Sequence, residues 1–140
     1  MWRVQSRVDP VKGECLLGIA GDLYSALLFK DWLELGGEPH LVKRGVTGDE
    51  CDGGGDFDAL IVHRRGVYGA NFLCRLEPIG MDEWAHGSGR MAALAAMACG
   101  KSAIDAVRIA ARFDVYTGGR VVSMSLDQSS PKRARKKGKT

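Results

Sequence analysis

Hydrophobic and polar positions sort the chain into strands, a helix, more strands, two helices and a last strand. Residues 1–8 alternate loosely and read as a strand. Asp9, Pro10 and Gly13 supply turn chemistry, because proline fixes φ and glycine takes the conformations other residues resist. Residues 15–20 form a short apolar run, so the two segments predict a hairpin. Asp22 is placed to cap a helix reaching Leu35 and stopping at Gly36 and Gly37. Tyr24, Leu28, Trp32 and Leu35 make its apolar stripe, with Leu23 and Leu27 beside it. That stripe is wider than a single buried face needs.

Residues 38–56 are long, glycine-rich and charged, and Gly53, Gly54 and Gly55 predict a mobile connection. Residues 57–62 read as a strand, turned at Arg64, Arg65 and Gly66 into a second hairpin through Val67, Tyr68 and Gly69; residues 73–76 predict another short strand. A helix starts at Ser88 or Gly89 and presents Met91, Leu94, Ala95 and Ala98 before Gly100 ends it. Ser102 caps the next helix, whose narrow polar stripe is Asp105, Arg108 and Arg112, so that helix is expected between other elements. Val121, Val122, Met124 and Leu126 predict a closing strand.

Short turns between paired strands favour antiparallel sheet, and the fold class is α+β. The length, 140 residues, suits one domain over residues 1–130. The net charge of +3 hides two objects. Lys132, Arg133, Arg135, Lys136, Lys137 and Lys139 lie in the last ten residues, and removing those six leaves a body of net charge −3. Residues 131–140 therefore predict a disordered basic tail with weak, non-specific affinity for nucleic acid and no aromatic to stack on bases. No apolar run approaches the ~18 residues of a membrane span, and residues 1–4 lack a signal-peptide core, so a cytoplasmic protein with no membrane partner is expected.

Cys15, Cys74 and Cys99 sit among apolar neighbours and predict reduced core residues. Neither the cysteines nor His40, His63 and His86 have metal-site spacing; no metal or cofactor is expected.

The chemistry concentrates between Gly87 and Gly119. Gly87-Ser88-Gly89 opens an alanine-rich helix, and the following helix ends in Asp114-Val115-Tyr116-Thr117-Gly118-Gly119 before a valine pair. Taken alone, each motif reads as a turn with a helix cap. In this order, they resemble the C-terminal half of proteasome β-type subunits and HslV-type peptidases, small bacterial or phage-like versions in particular. The resemblance covers residues 16–126, matching poorly over residues 38–56.

That resemblance implies a four-layer αββα sandwich of the N-terminal-nucleophile hydrolases. It also implies a threonine-type endopeptidase acting in proteolysis, assembled as a homo-oligomeric ring, with peptide or unfolded protein as substrate and an unfoldase as possible partner. Family enzymes use an N-terminal threonine, whose own amine serves as base. Carried over residue by residue, Gly21 matches the turn whose N–H forms the oxyanion hole. Ser88 matches the serine near the terminal amine, and Asp114 and Thr117 match the turn that hydrogen-bonds around it.

The nucleophile has no counterpart here. Met1 precedes bulky Trp2, the first hydroxyl is Ser6 and the first thiol is Cys15. The expectation is a fold incomplete at its N-terminus and an inactive chain. The alternatives are a non-catalytic ring subunit or assembly partner, and a nucleic-acid-associated protein acting through the tail.

Overall fold

Residues 1–37, 57–71 and 74–126 are described in a computed structural model. Both expected hairpins form. Strands β1 (Trp2–Ser6), β2 (Gly13–Gly21), β3 (Phe57–His63), β4 (Gly66–Asn71) and β5 (Glu77–Ile79) build one five-stranded sheet in sequence order, antiparallel throughout. Helix α1 (Leu23–Leu35) comes between β2 and β3, and α2 (Arg90–Ala98) and α3 (Ala103–Phe113) follow β5.

Period-two alternation decides what each face of the sheet does. Cys15 and Leu17 of β2, Ala59 and Ile61 of β3 and Val4 of β1 are buried on one face, against Phe29, Trp32 and Leu33 of α1. Phe29 stacks on Trp32 with ring centroids 5.5 Å apart and meets Phe57 at 5.2 Å. Asp22 caps α1 as expected, accepting from the Ser25 N–H at 2.8 Å. Gly36, at φ +92°, closes the helix in the left-handed conformation that a Cβ disfavours.

On the other side, α2 and α3 pack on each other through Ala93, Ala96 and Met97 against Ala106 and Ala110. Small side chains let the two backbones approach closely. The pair does not rest directly on the sheet. A largely apolar cavity of about 360 Å³ separates them, with Gly18 and Leu60 on the sheet side and Met97 and Val107 on the helix side.

Several expectations need correction. The packed face of α1 is Ala26, Phe29, Trp32 and Leu33, while Tyr24 and Leu35 of the expected stripe are exposed. The helix is apolar around most of its circumference, so periodicity does not single out the side the sheet takes. In α2 the buried residues are Ala93, Ala96 and Met97, and Met91, Ala95 and Ala98 are exposed. Helix α3 buries only Ala106 and Ala110, so it is covered on one side rather than enclosed. The strand after β4 falls at Glu77–Ile79; residues 74–76 are irregular. Residues 121–126 form no strand and are tied to the sheet edge by the Arg3 guanidinium, which donates to the Ser125 carbonyl at 2.8 Å. Cys99 is exposed at the end of α2, not in the core. The second sheet of the expected four layers is not found among the described residues. The connection at residues 38–56, the loop histidine His40 and the basic tail at residues 131–140 lie outside the described residues.

Candidate functional site

Two glycines fix the approach to the site. Gly87 turns the chain at φ +97°, where a Cβ would already touch the Ala20 Cβ at 3.5 Å. Gly89 starts α2 with no room for a side chain: a Cβ there would lie 2.6 Å from Thr117 Oγ1 and 3.2 Å from the Ala110 Cβ. Ser88, between them, reaches the far end of α3. There Asp114 caps the helix, its N–H bonded to the Ala110 carbonyl at 2.9 Å, and the Thr117 N–H closes the next turn on the Asp114 carbonyl at 3.1 Å.

The three side chains converge on one oxygen. Ser88 Oγ donates to Asp114 Oδ2 at 2.5 Å, and Thr117 Oγ1 donates to the same Oδ2. The Ser88 hydrogen bond, then that of Thr117, holds the Asp114 carboxyl below its ordinary pKa, helped by the Tyr116 backbone and opposed by slight desolvation. Asp114 is thus an anion at neutral pH and a weak base. Each hydroxyl has spent its proton on it and keeps only acceptor lone pairs. A carboxylate flanked by two acceptor hydroxyls suits an N–H-bearing or cationic group. It does not activate either hydroxyl as a nucleophile.

A cavity of about 870 Å³ opens over this cluster. Gly21, Ser88 and Thr117, singled out from the sequence, line it together; Asp114 holds two of them by hydrogen bonds. Asp58, Asn71 and Tyr116 complete much of the wall and were not singled out. Asp58 did carry a signal. It is a charged residue flanked by buried Phe57 and Ala59 in a strand, so alternation puts it on the opposite face. Gly21 ends β2 at φ +119°, across from Phe57.

Other reactive side chains have structural work or the wrong chemistry. Burial pushes the Cys15 thiol up to about 11, with Glu14 and Glu34 adding to the effect, and burial pushes Cys74 up to about 11 as well. Both stay protonated and unreactive at neutral pH. His63 is buried, its Nδ1 accepting from the Arg65 N–H at 3.2 Å and its Nε2 placed to donate to the Lys12 carbonyl at 3.0 Å. That satisfies both ring nitrogens and joins two turns. Trp84 Nε1 and His86 Nε2 are buried and have no hydrogen-bond partner among the described residues, their rings edge-on at 6.2 Å. Desolvation lowers the His86 pKa, with Asp58 and the Ala59 backbone pulling the other way and Arg90 adding to the lowering. Among the described residues no three His, Cys, Asp or Glu side chains are grouped to hold a metal ion. No helix there is long and apolar enough to cross a membrane. The tail cations, from Lys132 to Lys139, lie outside the described residues.

No family model matches the chain, and no curated protein matches it. Among solved structures, eukaryotic HslV from Trypanosoma brucei matches with a TM-score of 0.56 and 22% identity, over 74% of this chain and 71% of that one. The chain has a proteasome-like fold. At that identity the likeness concerns the fold, and the chemistry has to be argued from the side chains above.

Proposed function

We propose that this chain is a proteasome β/HslV-like protein, by descent a threonine-type endopeptidase, which supplies the supporting half of an N-terminal-nucleophile site. Ser88, Asp114 and Thr117 hold the terminal amine of such a nucleophile, and the Gly21 N–H stabilises the oxyanion. The observation that carries this reading is the convergence of both hydroxyls on one ionised carboxylate, beside a cavity that Gly21 also lines. In this reading neither Ser88 nor Thr117 is the nucleophile, because each hydroxyl donates its proton to Asp114 and has no base to take it.

A fluorogenic peptide panel, run on the purified chain and on Ser88→Ala, tests this assignment. No turnover by either protein is expected. Turnover by the parent that vanishes in Ser88→Ala would make Ser88 the nucleophile and overturn its supporting role.

One observation favours a role within an assembly. Leu23, 64% exposed, and Tyr24, 56% exposed, stand with half-exposed Leu27 on the outer side of α1. This apolar surface suits contact with another copy in a ring, whether catalytic or not.

A further inference from the structure

A second cavity, of about 220 Å³, opens beside the candidate cleft. The two share Asp58 and Asn71, which face each other across β3 and β4. The two spaces adjoin at that pair, which puts the smaller one within a side chain's length of a peptide lying in the larger. Gly69, the next residue of β4 on that face, has no side chain, and the Ile79 side chain covers it, 3.5 Å from where a Cβ would stand.

The remaining walls set the chemistry. Asp58 and Glu77 bring two carboxylates, Arg75 one cation and Trp84 an indole, while Pro78 and Ile79 give an apolar side that suits an aliphatic stem. His86 also lines the pocket, and desolvation keeps it neutral near pH 7. The charge balance is negative. An aliphatic side chain would desolvate the carboxylates without replacing their hydrogen bonds. An acidic one would meet two like charges for one opposite. A guanidinium or ammonium on a flexible stem meets both needs, with carboxylates for its donors and an aromatic wall for its plane.

We propose that this side pocket receives the arginine or lysine side chain of a peptide lying in the cleft, with Asp58 and Glu77 as its charge partners and Trp84 as its aromatic wall. The proposal rests on the reading of the larger cavity as a peptide-binding cleft.

The test is an NMR titration of the full chain that follows the Trp84 indole N–H, assigned with Trp84→Phe because Trp2 and Trp32 also carry indoles. The probes are the Nα-acetyl amides of arginine, leucine and glutamate. The arginine probe should shift the Trp84 signal saturably. The double variant Asp58→Asn/Glu77→Gln should bind it roughly tenfold more weakly, about the loss expected for a partly exposed charged hydrogen bond. Both positions are exposed, and an unchanged circular dichroism spectrum confirms that the variant is folded. Leucine or glutamate binding as tightly as arginine, or arginine binding undiminished in the variant, would overturn the proposal.

An acetylated tetra-alanine amide, read at Ser88 and Thr117, separates the two levels. If it shifts those signals while the arginine probe leaves Trp84 unmoved, the side pocket is wrong and the cleft stands. If arginine binds as expected while tetra-alanine leaves Ser88 and Thr117 unmoved, the pocket stands and the peptide cleft is wrong.

Discussion

Asp114 Oδ2 accepts from hydroxyls brought by two separate segments, one before α2 and one after α3. The close approach needs Gly89, whose absent Cβ leaves room for Thr117. Gly89→Ala should therefore lower unfolding stability by about 1–3 kcal/mol, as overpacking does. Gly118→Ala, with nothing within 4 Å, should change it little. Urea melts of both variants check this; equal effects would mean that Gly89 is not held close to Thr117. Ser88, Asp114 and Thr117 were singled out through the resemblance that the order of their motifs carries, since each motif alone reads as a turn with a helix cap, and the fold brings the three side chains together. Asp58 and Asn71 were not singled out: alternation gives the face of Asp58, but a polar residue on the outward face of a strand looks like ordinary solvent exposure until the fold puts a cavity over it. The lowered pKa of His86 gives a second test. The unfolded state takes up a proton near the usual value of about 6.5, while the folded state resists it. Stability should fall as pH drops below that value and level off once the folded-state pKa is passed. In His86→Gln this component should be missing, which urea midpoints across pH 7 to 5 would show.

At the scale of elements, both hairpins and the three helices among the described residues were readable from turns, caps and periodicity, but the packed helix faces were not. Helix α1 offers apolar residues on nearly every side, and the sheet chooses Phe29 and Leu33 over Tyr24 and Leu35. Alanines fill α2, so its pattern gives little contrast between buried and exposed positions, whereas α3 shows a clear polar stripe yet only Ala106 and Ala110 of its remaining surface are buried. Residues 121–126 carry strand-like composition, yet strand formation also needs a partner edge, which no local pattern reveals. The choice of face in α1 makes a prediction. Phe29→Ala should cost about 3–5 kcal/mol, the usual range for emptying an aromatic site in a core. Tyr24→Glu should leave the denaturation midpoint nearly unchanged and reduce self-association in sedimentation velocity. A monomeric parent at high micromolar concentration would contradict the proposed contact.

At the scale of the molecule, one antiparallel sheet has α1 on one face and an alanine-rich helix pair standing off the other, and the candidate site lies where the sheet end and the helix ends meet. The α+β class followed from element order. The layering did not, because it depends on which faces find partners, and the described residues leave part of the sheet's second face beside an apolar cavity. The proposed function comes down to one claim: the Ser88, Asp114 and Thr117 cluster holds a free amine. The direct measurement is a titration of the chain with a short peptide bearing a free N-terminal threonine, read by NMR at Ser88, Asp114 and Thr117. The same peptide with its amine acetylated serves as control. The free amine should bind saturably, the acetylated peptide should not compete, and Asp114→Asn should abolish the response. Equal binding of the acetylated peptide, or a response that survives Asp114→Asn, would contradict the claim.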